Sequence, residues 1–186
     1  MRCLAAALLM LGCLTTLSAG GGDESSPASG PHSQKGAGPD RQSPSPSLAE
    51  ARRQAQVLHT AMHSTLQIVH HRYYRENEGL PLPAATLTEV FADLEKEQQV
   101  SLRWLVVEGQ AMNTDHLPES DFEHEAVRRL KRGESAHEQI DDNLYRHAGP
   151  ITLGNHCLKC HVPDRKNTND RVAGLIISIP LQGRCP

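Results

Sequence analysis

Apolar residues recur at helical spacing in three stretches, each opened by a hydroxyl residue three positions ahead of a glutamate. This is the capping-box signature of a helix start. Ser47-Leu48-Ala49-Glu50 opens the first and predicts a long helix to about Arg75, with Leu58, Met62, Leu66 and Val69 as its apolar stripe. Gly79, Pro81 and Pro83 end that region. Thr86-Leu87-Thr88-Glu89 predicts a second start, with Val90, Phe91 and Leu94 along one face. Ser120-Asp121-Phe122-Glu123 predicts a third, carrying Ala126, Val127 and Leu130 and closing in a basic turn before Gly133.

The remaining apolar stretches have strand character. Residues 100–108 (VSLRWLVVE) are rich in β-branched and apolar side chains. Glu138 to Arg146 reads as a polar edge strand, with Ile151 to Leu153 close behind. Residues 172–180 (VAGLIISIP) form the strongest strand pattern and are expected at the centre of a sheet. Helices and strands in this order predict an α+β fold with an antiparallel sheet, a long N-terminal helix and flanking helices.

Upstream of Ser47 the pattern changes. Met1-Arg2 is a short basic start, Leu4 to Leu11 is nearly all apolar, and small residues follow to Gly20. This is the layout of a secretory signal peptide over residues 1–19; the apolar run is well short of the roughly 20 residues of a spanning helix. Met10-Leu11-Gly12-Cys13 also resembles a lipoprotein cleavage site, which would make Cys13 a lipid anchor after an unusually short signal. Residues 20–46 are Gly, Ser and Pro with scattered charge, a composition that cannot bury a core and predicts a disordered tether. Residues 47–183 are then one domain. A net charge of -3, with no basic stripe, gives no nucleic-acid signal.

The chemistry is concentrated at Cys157-Leu158-Lys159-Cys160-His161, a Cys-x-x-Cys-His motif for attachment of a c-type haem. Two thiols spaced by two residues can add to the two vinyl groups at one edge of a porphyrin. The imidazole that follows can then ligate iron from below. A zinc-binding structural module is the alternative, with His156 and His161 completing the two thiols. A thioredoxin-like pair would need a strand-to-helix setting that the pattern lacks. An export signal supplies the extracytoplasmic compartment that haem attachment requires. Cys185 is then an odd thiol near the C-terminus.

Several segments together resemble the exported c-type haem domains with a PAS-like fold, long catalogued as a domain of unknown function and best described from a cyanobacterial member. They are Leu102-Arg103-Trp104, Asn113, Phe122-Glu123, Tyr145-Arg146, Pro150-Ile151, the haem motif, and Gly174-Leu175-Ile176-Ile177-Ser178-Ile179-Pro180-Leu181. The resemblance covers about residues 58 to 181. It implies a PAS-like sheet with one covalent haem c, thioethers at Cys157 and Cys160, and His161 as proximal iron ligand. In the described member a cysteine on the early helix is the sixth ligand. This chain has no cysteine between 14 and 156, and Gln67-Ile68-Val69-His70 stands at about that place. His70 is therefore the first candidate for the distal position, with His63 and His71 as alternatives and His59 on the same helix. Arg103, Arg146, Arg165 and Arg171 are candidates for pairing with propionates, and Trp104 and Tyr145 for lining the pocket. His116, His124, His137 and His147 carry no assignment.

These residues point to an exported, periplasmic or otherwise extracytoplasmic haem-binding protein acting in electron transfer or in redox or gas sensing. No catalytic residue is expected. A sensor would need a signalling partner, because no output domain lies on this chain; electron transfer would need a redox partner.

Overall fold

The computed structural model describes residues 45–75 and 77–183. The predicted signal segment, Cys13, Cys185 and all but the end of the 20–46 tether lie outside the described residues. No helix among the described residues is long and apolar enough to cross a membrane.

Helix α1 spans Leu48–Arg72 and starts where the capping box predicts. The Glu50 amide donates to Ser47 Oγ at 3.4 Å, and the Ser47 amide donates to Glu50 Oε2 at 2.8 Å. Two orphan donors of the first turn are satisfied reciprocally. Ala51 and Ala55 are fully buried, and Leu58, Met62 and Leu66 pack against the same core. Beyond Leu66 the helix leaves the core and lies along a cavity, so the predicted stripe does not continue into it at Val69.

Helix α2 is Pro83–Gln98, one turn earlier than the Thr86 box predicts. Pro83 occupies the first turn, where its missing N–H costs nothing and its fixed φ is already helical. Thr86 is inside the helix, its amide bonded to Leu82 O at 3.0 Å. The buried face is Ala84, Leu87, Phe91 and Leu94, whereas Val90 points to solvent.

Strand β1 is Ser101–Leu105. It is shorter than the expected 100–108 because the Val106 amide turns to His116 O at 2.8 Å. A 3-10 turn, Thr114–His116, follows, and then helix α3, Asp121–Lys131, with the Ser120–Glu123 capping box in place. The expected polar strand 138–146 is a hairpin instead. Strand β2 is His137–Asp141 and β3 is Leu144–Leu153, joined at Asp142 and Asn143 with φ of 46° and 63°. Two consecutive residues of positive φ make the tight turn whose twist matches paired strands, and Asp and Asn tolerate it. Helix α4, Asn155–His161, carries the haem motif, and strand β4, Arg171–Pro180, ends the domain.

The four strands form one antiparallel sheet in the order β1-β4-β3-β2. The last strand is central, as its apolar run predicts. Leu102, Trp104, Tyr145, Ile151, Leu175, Ile177 and Ile179 pack against α1 and α2 on one face. Leu105, Val107, Ala148 and Ile176 meet Phe122, Ala126 and Leu130 of α3 on the other. The fold is thus α+β with helices on both faces of an antiparallel sheet.

Candidate functional site

Helix α4 is anchored at its middle and open at its ends. Leu158 is fully buried, while Cys157 is half-buried and Cys160 exposed. The amide of Cys157 closes the first turn on Gly154 O at 2.8 Å, and Arg165 Nη1 donates to Leu158 O at 3.3 Å. On a helix, residues three apart share a face, so Cys157 and Cys160 are presented together. His161 is the last helical residue. Its carbonyl accepts from the Gln110 amide at 2.8 Å, which ties the motif to the segment after β1.

Both cysteines and His161 line a cavity of about 750 Å³ between the end of α1, the start of α2, the end of β1 and α4. That volume is in the range of cofactor pockets, about 300–1,000 Å³. Leu66, Trp104, Leu105, Ile151 and Leu153 supply apolar wall. Trp104 is held in place by its Nε1–H donating to Ala84 O at 3.0 Å and by Phe91, whose ring centroid is 4.9 Å away.

Four other histidines line the same cavity: His70, His71, His116 and His156. Burial first, then the nearby His70 and His116, holds the His161 imidazole below the ordinary histidine range. It is therefore neutral near pH 7 and has a lone pair to give. Burial, followed by His156, lowers His70 in the same direction. Burial pushes the Cys157 thiol up, with Asp170 and Cys160 adding to it. His71 Nδ1 and His156 Nε2 lie 3.2 Å apart, so these two rings bind each other.

His59 and His63 do not line the cavity. His59 Nε2 donates to Pro150 O at 3.0 Å, under the sheet. Of the early-helix histidines, His70 and His71 reach the cavity wall, and His71 is engaged by His156. The four expected propionate arginines are used elsewhere. Arg103 pairs with Glu123 at 2.7 Å, Arg146 lies 5.7 Å above the Phe122 ring, Arg165 binds Leu158 O, and Arg171 binds Asn167 and Asn169. Arg75 is the arginine on the cavity wall. Trp104 lines the cavity as expected, whereas Tyr145 is fully buried in the core against α1. His116 is at the site without any sequence signal, because the loop after β1 has neither periodicity nor motif.

The donor set and the cavity fit a haem. Two thiols on one helical face, a neutral imidazole next to them, further imidazoles across an apolar-walled space, and room for a flat macrocycle are all present. Among the described residues, no group of three or more His, Cys, Asp or Glu side chains converges on a metal-ion site. The zinc alternative therefore finds no support.

The model of the Tll0287-like family matches residues 42–179. The fold is similar to that in the crystal structure of the cyanobacterial heme-protein Tll0287, with a TM-score of 0.53 at 13% identity, over 73% of this chain and 98% of that one. No curated protein matches.

Proposed function

The chain belongs to the Tll0287-like family, and on that premise we propose that it is an exported protein carrying one covalent c-type haem and acting in electron transfer or in redox or gas sensing. The observation that carries this is the single cavity lined by Cys157, Cys160, His161 and His70. A solved protein of like fold is a heme-protein, and the last strand inserted between β1 and the β2–β3 hairpin supports the PAS-like reading.

Cys157 and Cys160 would hold the haem as thioethers, and His161 would ligate its iron. His70 of α1, on the wall of the same cavity, would supply a second imidazole to the iron. The haem provides one-electron chemistry and a site for diatomic gases. The protein would set its ligation and burial: Leu66, Trp104, Ile151 and Leu153 give the cavity an apolar wall that would limit the access of water. No side chain is assigned a catalytic role. The predicted signal segment, with or without a lipid anchor at Cys13, delivers the chain to an extracytoplasmic compartment where haem attachment proceeds. There a redox or signalling protein is its partner.

The test is expression of the full chain with haem-maturation machinery. The expected product shows a Soret band and stains for covalent haem after denaturation. Cys157→Ala with Cys160→Ala removes the stain. A wild-type chain that matures without haem overturns the proposal.

A further inference from the structure

His116 closes the 3-10 turn Thr114–His116, and three carbonyls of this segment are held by Arg103 of β1 and by Val106 just after it. Its own carbonyl accepts from the Val106 amide at 2.8 Å. The carbonyls on either side, Asp115 O and Leu117 O, each accept from Arg103 Nη2 at 2.7 Å. The same guanidinium is clamped by Glu123 at 2.7 Å and Glu119 at 3.2 Å. Asn113 caps the turn, its Oδ1 accepting from the Asp115 amide at 3.0 Å. A three-residue turn with this much fixation is a support for whatever side chain it carries.

That side chain is a half-buried imidazole on the wall of the haem cavity. Among the described residues its ring nitrogens have no hydrogen-bond partner. It lines the same cavity as His161 and His70. His70 and His116 reach the cavity from different elements, α1 and the turn after β1. His71 and His156 also line the cavity, but each is occupied by the other.

We propose that His116 is a second histidine available to the iron, taking the sixth position when His70 is released or removed. This rests on the proposed haem function. The exchange breaks one iron–imidazole bond and makes another. Both imidazoles donate as neutral groups, so no electron is transferred and no co-reactant is needed. The consequence is a haem that stays six-coordinate through a ligand change, with a gas competing against two histidines rather than one.

The test uses the full chain matured with haem, as wild type, His70→Ala, His116→Ala and the double variant. Covalent haem stain reports the underlying function, and the spin state in the absorption spectrum reports ligation. The expected result is a low-spin spectrum in both single variants and a high-spin one in the double variant, restored to low spin by added imidazole. CO affinity of the ferrous double variant should exceed that of His70→Ala about tenfold or more, because a competitor filling the site nine-tenths of the time lowers apparent affinity by that factor. A stained His70→Ala protein that is already high-spin, or a stained double variant that stays low-spin, overturns the role of His116 and leaves the haem function standing. A wild-type chain without stain overturns both.

Discussion

Gly109 lies so close to His161 that a Cβ added to it would stand 2.5 Å from the His161 carbonyl oxygen. Its φ of +92° is also one that side chains rarely adopt. The two facts separate cleanly by comparison with Gly133, whose φ is +85° but whose Cβ position is open. Gly133→Ala should cost about 1 kcal/mol, the backbone term alone. Gly109→Ala should cost about 3 kcal/mol or more, since the clash adds an overpacking term. Urea denaturation of both variants checks this, and equal losses would show that the contact with His161 does not matter. On the proposed function, Gly109→Ala should also lower the yield of covalent haem, because the displaced carbonyl belongs to His161, the residue proposed to ligate the iron.

Arg103 ties β1 to α3 and to the 114–116 turn. It bonds Glu123, Glu119 and two carbonyls, with Arg103 a quarter exposed and Glu123 less. Replacement by Ala leaves Glu123 half-served and the 114–116 turn untethered. The expected loss is about 2–3 kcal/mol, the range for charge-assisted hydrogen bonds. Thermal melts at low and high salt measure it. A propionate-binding role would instead show as a shifted haem spectrum with stability unchanged.

Much of this was legible because local chemistry agreed with the final packing. The Ser47 and Ser120 capping boxes start α1 and α3 where expected, and the apolar run of β4 lies in the sheet centre. Where two local signals competed, the weaker one misled. Pro83 starts α2 although Thr86 carries the box, and the Asp142-Asn143 turn splits a stretch that reads as one polar edge strand. At the site, the Cys-x-x-Cys-His residues declare themselves by spacing. His116 could not, because its place depends on a guanidinium thirteen residues earlier and on a 3-10 turn too short to have a period.

Acid should destabilise the domain through the histidines beneath α1. His147 is buried, its Nδ1 3.7 Å from Glu138 Oε1, and its ring centroid is 5.9 Å from that of His59. Burial lowers both rings, with His59 depressing His147 further and His63 depressing His59; Glu138 opposes this at His147, and the carbonyl of Pro150 at His59. Arg52 and Tyr145 complete the surroundings through Glu138. The folded pKa lies below the unfolded value of about 6.5. The unfolded chain therefore binds more protons as pH drops. Stability is full above about pH 6.5 and is lost as pH falls toward the folded pKa, at up to about 1.4 kcal/mol per pH unit for each histidine. His147→Gln should flatten the fall of Tm between pH 7 and 5. An unchanged slope in that variant would rule His147 out as a source.

Helix α4, which carries the Cys-x-x-Cys-His motif, has two attachments to the rest of the domain that differ in kind, and their substitution should separate stability from positioning. Leu158 is fully buried between the two cysteines, so Leu158→Ala removes apolar contact and leaves a cavity, at about 2–5 kcal/mol. His156 holds α4 to the end of α1 through His71 at the exposed surface, and His156→Ala forgoes one hydrogen bond there, about 0.5–1 kcal/mol. Leu158→Ala should therefore lower the urea midpoint of the whole domain, while His156→Ala leaves it nearly unchanged. Hydrogen exchange should rise across all elements in the first variant and within α4 and the last turn of α1 in the second. If His156→Ala loosened the sheet as well, the His71–His156 pair would be part of the global fold rather than a local tether on the turn that carries the Cys-x-x-Cys-His motif.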